Sequence, residues 1–135
     1  MPKTSVIPEV LTATREAERG LLGAILIQAS YTENVIGEVK SLVSPDDFLD
    51  AKQFDNKHSR IFKAMCECQQ PHQINVAQQM NRQGTLKPGD CAYLSYLVSN
   101  CPCSLDYLSY AQAIREYADL RNGIRPSKYR GLAIN

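Results

Sequence analysis

Arg15-Glu16-Ala17-Glu18-Arg19-Gly20-Leu21-Leu22-Gly23-Ala24-Ile25-Leu26-Ile27-Gln28 is the stretch that decides how this chain folds. Ala17, Leu21, Ala24, Ile25 and Gln28 follow one helical face, and Leu22 and Leu26 form a second stripe beside it. A helix apolar over so wide an arc belongs at the centre of a core. Gly20 and Gly23 would each weaken an exposed helix by about 1 kcal/mol relative to alanine. Their presence therefore predicts the close approach of a neighbouring helix.

Reading backward, Met1 to Thr14 is polar and punctuated by proline, which predicts a flexible amino-terminal arm over 1–14. Reading forward, Ser30-Tyr31-Thr32-Glu33 has the form of a capping box opening a second helix. Its core face is Val35, Ile36, Val39, Leu42 and Val43. Ser44-Pro45-Asp46-Asp47 repeats the start signal, with Ser44 as cap and Asp47 reaching back, and should deliver Phe48 to the core. Phe54, His58, Ile61, Phe62 and Met65 mark one face of a helix from about Asp55 to Cys68. A short helix from Asn75 to Arg82 ends at Gly84, and Asp90 caps another containing Tyr93, Leu94 and Leu97, stopped by Asn100 and Pro102.

The last helix, Ser104 to Asn122, carries two apolar stripes. Tyr107, Ala111, Ile114 and Ala118 suffice to dock it on its own domain. Tyr110, Ala113, Tyr117, Leu120 and Ile124 repeat at three- and four-residue steps, which suits a further helix from this chain or from a partner. With Arg121 these are the partner-binding candidates; the alternative is that both stripes line one intramolecular groove. No run alternates with period two. The expected fold is all-α, a compact bundle of about six helices with a protruding C-terminal helix. It divides into the arm, a helical body over 15–103, the C-terminal helix over 104–124 and a basic tail over 125–135.

A length of 135 residues with 44% hydrophobic content suits one domain, and a net charge of +1 argues against a strongly electrostatic partner surface. The amino terminus lacks the apolar run of a signal peptide. Gly20 to Ile27, the most apolar stretch, is too short to span a bilayer, so a cytoplasmic protein with no membrane partner is expected. In that compartment the five cysteines, Cys66, Cys68, Cys91, Cys101 and Cys103, should be thiols. Two Cys-x-Cys pairs invite a zinc reading, but residues two apart on a helix point to nearly opposite sides and the usual finger spacing is missing, so no metal is assigned.

The ordered series Glu16-Ala17-Glu18, Leu22-Gly23-Ala24-Ile25, Ser44-Pro45-Asp46-Asp47-Phe48 and His58-Ser59-Arg60-Ile61-Phe62 continues with Gln83-Gly84-Thr85-Leu86, Tyr93-Leu94, Asn100-Cys101-Pro102 and Tyr110-Ala111. In order and spacing it resembles the amino-terminal domain of the DnaB-type replicative DNA helicase, from about Ile7 to Asn122. The resemblance implies a helical interaction domain of the replication apparatus. Such a domain builds the collar of the helicase hexamer and helps engage primase and helicase loaders. Self-association or helicase subunits are the implied partners. In the family the ATP-driven motor is a separate domain, and these 135 residues contain no phosphate-binding Gly-x-x-x-x-Gly-Lys-Ser/Thr loop. No catalytic residue and no cofactor is therefore assigned. The family also carries a histidine at the place of His58 without catalysis, which makes His58 a core-edge imidazole holding a backbone group or carboxylate.

Two departures stand out. The family's Pro-x-Asp is replaced by Pro71-His72-Gln73-Ile74-Asn75, with Asn75 available as a cap. The family's last helix returns in a hairpin, whereas Gly123 and Pro126 interrupt it here, so a truncated hairpin is expected. A second function class, a small nucleic-acid-binding protein, rests on Arg121, Arg125, Lys128 and Arg130 with no acidic residue after Asp119. No recognisable binding motif accompanies these charges, so nucleic-acid contact is expected to be weak or indirect.

Overall fold

The computed structural model describes residues 8–123. Residues 1–7 of the expected arm, Ile124 and the 125–135 tail lie outside the described residues. Among the described residues six α-helices follow one another: α1 (Pro8–Gln28), α2 (Val35–Lys40), α3 (Lys57–Cys66), α4 (Gln73–Arg82), α5 (Asp90–Ser99) and α6 (Tyr107–Arg121). Single 3-10 turns at Pro45–Asp47 and Ser104–Asp106 precede α3 and α6, and there is no strand among the described residues. None of these helices is long and apolar enough to cross a membrane.

Helix α1 is the centre of the core. Leu21, Leu22, Ala24 and Ile25 are removed from solvent, and α5 and α6 pack against them. Both glycines mark close approach. A Cβ at Gly23 would stand 2.4 Å from the Leu97 carbonyl oxygen of α5, and one at Gly20 would stand 2.9 Å from the Tyr110 ring of α6. The core continues through Val35, Ile36, Val39 and Val43, then Phe48 packed on Phe62 with ring centres 5.1 Å apart, then Ile61, Met65 and Leu94.

The arm expected over 1–14 is corrected for its second half, because α1 begins at Pro8. Proline needs no amide partner in a first helical turn. Thr14 donates its hydroxyl to the Val10 carbonyl (2.7 Å) and is buried, so this segment is part of the body. The extra turns give the last helix something to lie on. Gln28 Nε2 donates to Ser104 Oγ (2.9 Å) while Tyr110 meets Gly20, so α6 runs antiparallel to α1. Ala111, Ile114 and Ala118 are buried there; the helix docks along the body instead of protruding from it.

Several local expectations also change. Ser30 opens no helix, because Tyr31 and Thr32 donate their amides back to the Gln28 carbonyl and finish α1 in a turn. Asn34 takes a left-handed conformation (φ 59°) and its side chain fills the space left open at Gly37. Helix α3 starts at Lys57. Its first amides, at His58 and Ser59, donate to the Asp50 carboxylate (2.8 and 3.1 Å), so its cap comes from across the preceding loop. Phe54 lies outside the helix and is 98% exposed, where the helix-face pattern placed it in the core.

Helix α4 starts two residues before Asn75, whose amide donates to the Gln70 carbonyl. It ends at Gly84 (φ 74°) in a paired closure, with Gly84 N donating to Asn81 and Thr85 N to Met80. Asp90 is the first residue of α5, and its carboxylate turns inward to accept Arg60 Nη1 (2.7 Å) and the Lys87 amide (2.8 Å). Cys68 lies beyond the end of α3, and no cluster of His, Cys, Asp and Glu among the described residues is grouped to hold a metal.

The two glycines differ in what a methyl group would meet. Gly23→Ala drives a Cβ into a backbone carbonyl and should cost about 1–3 kcal/mol, the range for overpacking a core. Gly20→Ala meets only the movable edge of a tyrosine ring and gains helix propensity, so its loss should be smaller. Urea denaturation of both variants checks this ordering; equal stability of Gly23→Ala and the parent would contradict the α1–α5 approach.

Candidate protein-interaction surface

Helix α6 presents three kinds of surface. Its inner face, Ala111, Ile114 and Ala118, is in the core. The stripe of Tyr110, Ala113, Tyr117 and Leu120 runs beside that face and is half-buried along its length. Leu105, in the 3-10 turn just before the helix, and Leu108, in its first turn, are 75% and 43% exposed. The sequence reading missed this last pair, because it weighed only the residues at regular steps within the helix.

The five candidates do not behave alike. Tyr110 lies over Gly20, and burial raises the pKa of its hydroxyl. Arg121 donates Nη2 to the Asp47 carbonyl oxygen (2.7 Å), and burial lowers its pKa. These two residues hold the domain together. Ala113 packs against the core as well, and Tyr117 and Leu120 remain as the half-exposed part of the stripe.

What fixes α6 in place is Arg115, which no sequence signal singled out. Its guanidinium meets Asp47 through two parallel bonds, Nη1 to Oδ2 (2.8 Å) and Nη2 to Oδ1 (2.9 Å). Nη2 also donates to Asp119 (2.9 Å), one turn further on. Burial works against the charged form, but Asp47 and Asp119 outweigh it and raise the Arg115 pKa. Asp47 meanwhile accepts the Ser44 amide (2.8 Å), the reach-back expected of it. One carboxylate thus caps the 3-10 turn and anchors the last helix.

A second polar cluster joins α1, α3 and α5. Glu18, 1% exposed, accepts the Leu49 amide on Oε2 (2.7 Å) and faces His58 Nδ1 through Oε1 (2.8 Å). The other imidazole nitrogen, Nε2, is hydrogen-bonded to the Tyr93 hydroxyl. His58 therefore holds a carboxylate at the edge of the core, as its position on the apolar face predicted. Both Glu18 oxygens have partners, and burial pushes the Tyr93 hydroxyl up to about 12, so it stays protonated at neutral pH. The cluster positions three helices and presents neither a free base nor an ionised nucleophile.

Because the folded chain keeps the Tyr93 proton that the unfolded chain releases near 10, this stability is whole below that pH. It is lost as pH rises toward about 12. Urea midpoints should fall over that window, and Tyr93→Phe, with no proton to lose, should flatten the fall. An unchanged slope in the variant would place the ionisation elsewhere.

The comparisons agree with this architecture. A family model described as the DnaB-like helicase N terminal domain matches residues 10–116, from the first turn of α1 into α6. Among solved structures, the chain is similar to the N-terminal domain of DnaB helicase from Mycobacterium tuberculosis. The TM-score is 0.67 at 24% sequence identity, covering 84% of this chain and 80% of that chain. At that identity the structural likeness speaks for the fold, while the family match takes in the central helix, both 3-10 turns and most of α6. On that match the chain belongs to the DnaB-like helicase N-terminal domain family.

Proposed function

We propose that this chain acts in DNA replication as an interaction and oligomerisation domain. It presents helix surfaces to a second copy or to helicase subunits, and through that assembly to primase or a helicase loader. Its mechanism is surface presentation without bond chemistry. The supporting observation is the half-exposed part of the α6 stripe: Tyr117 and Leu120, one helical turn beyond the core-packed Ala113, lie on a helix whose other side is pinned by Arg115. A helix held so firmly offers its remaining apolar stripe without an ordering cost on association. Family membership supports the same reading.

The double variant Tyr117→Glu and Leu120→Glu tests it. A charge enclosed in a desolvated helix interface is costly, so association should be lost, while the half-buried positions let the fold survive. Sedimentation of the chain alone and pull-down with a cognate helicase read association; thermal melting reads the fold. Loss of folding along with association would put the stripe inside the domain. An intact fold with unchanged association would move the interface elsewhere.

A further inference from the structure

The outer side of α6 is better covered than its neighbours explain. Ala111, Ile114 and Ala118 define the core face, and at about 100° per residue Glu116 stands across the helix from Ile114 and Ala118. Gln112 and Leu120 lie one turn before and after it. The side chains that tie α6 to other elements leave from its core-facing half: Tyr107 donates to Glu38, Tyr110 lies over Gly20, and Arg115 and Arg121 meet Asp47. Gln112, Glu116 and Leu120 are nevertheless half-buried. Ser109, about two turns before Glu116 on the same outer side, is exposed. The cover is therefore confined to the half of α6 that ends at Gly123.

Gly123 takes a left-handed conformation (φ 81°) and closes the helix by donating its amide to the Leu120 carbonyl, so the chain leaves the helix axis there. In the sequence that follows, Ile124, Tyr129, Leu132 and Ile134 are interspersed with Arg125, Lys128 and Arg130. From Gly123 back to Gln112 is about 16 Å along α6, a distance that about five extended residues cover. Charge favours the same course. Four carboxylates around this half of α6, Asp46, Asp47, Glu116 and Asp119, face three cations, Lys52, Arg115 and Arg121. Glu116 accepts from neutral Gln112 (3.1 Å), which leaves its charge in place, whereas Asp119 is matched by Arg115. The surplus charge is negative and sits on the outer side.

We propose that residues 124–135 form a strap lying back along the outer side of α6, with apolar side chains on Tyr117 and Leu120 and cations beside Glu116. Pro126 and Gly131 break any helix in this segment, so the strap is extended. Residues 1–7 leave α1 at the same end of the antiparallel pair, but their only lysine or arginine is Lys3. The strap covers the residues proposed above as the partner surface. On that reading, on which this second step rests, a partner must displace it, and the strap is a brake on association. A tethered cover acts at high effective concentration and lowers apparent affinity by the fraction of chains in which it is open.

Trypsin digestion of the native full chain, followed by mass spectrometry, reads the strap; sedimentation of the same samples reads association. Cleavage after Lys128 and Arg130 follows the population in which the strap is open, while Arg125 precedes a proline and is not a site. Glu116→Lys and Arg125→Glu, made separately, should each speed that cleavage about tenfold with thermal melting unchanged. The two together reverse both charges and should restore protection. Equal cleavage in the parent and both single variants overturns the strap. Protection that rises with protein concentration assigns the cover to a second copy and overturns it too. So does protection that is lost on removing residues 1–7 and ignores Glu116→Lys. Arg125→Glu should also associate about tenfold more tightly than the parent, as removal of the brake requires. Faster cleavage with unchanged association upholds the strap and overturns the α6 stripe as the partner surface.

Discussion

The Leu97 carbonyl occupies the place of a side chain at position 23, and the Tyr110 ring occupies that of one at position 20. The approach of α5 and α6 to a common glycine-containing face of α1 sets the geometry of the remaining elements. Bulkier residues at these positions would push both helices outward and open the interior around Leu21, Ala24 and Ile25, which are now removed from solvent. With α6 close, Gln28 reaches Ser104 and the antiparallel pairing is fixed in register. With α5 close, Tyr93 comes within reach of His58 and Asp90 within reach of Arg60.

The polar clusters refine what the glycines permit. Glu18, His58 and Tyr93 link α1, α3 and α5; Asp47, Arg115 and Arg121 link the first 3-10 turn to α6; Arg60 and Asp90 link α3 to α5. Ion pairs of this kind contribute little net stability after desolvation. Their value here is directional, since an apolar contact tolerates sliding by a turn and a bidentate guanidinium–carboxylate contact does not. Each cluster also satisfies backbone amides: Glu18 takes that of Leu49, Asp47 that of Ser44 and Asp90 that of Lys87. The loops between helices are thereby fastened to the core at defined points.

How far the sequence could be read follows from this division. Periodicity identified the core faces, because burial of Ile25, Ile61, Phe62 and Leu94 depends mainly on local helical phase, and the start signal at Ser44 placed Phe48. The glycines in α1 also gave correct notice of close packing, since their helical cost needed a reason. Helix starts were less legible. The caps expected at Ser30, Asn75 and Asp90 did not form, while Asp50 serves α3 from across a loop, a long-range choice that no local spacing encodes. Phe54 was misplaced for the same reason: with its cap elsewhere, α3 begins at Lys57 and leaves the ring outside. Of the interaction stripe, the spacing of Ala113, Tyr117 and Leu120 was readable. The intramolecular use of Tyr110 and Arg121 depended on where α1 and Asp47 lie in space.

Tyr93 shows how one residue can serve both the interior and the surface. Its hydroxyl points toward His58 and so to the buried Glu18, while its ring lies between Tyr96 and the Lys57 ammonium. His58 lies along the same stack, 5.7 Å from the Tyr93 ring centre and tilted by 22°. A ring held at its polar end and flanked by these groups has little rotamer freedom left. Phe54 is the opposite case, an exposed ring with no such support beneath it. The outer surface of this domain therefore combines a tyrosine ordered by the core with a phenylalanine exposed on a tied loop. The polar cluster at the centre of the fold is what orders the first of them.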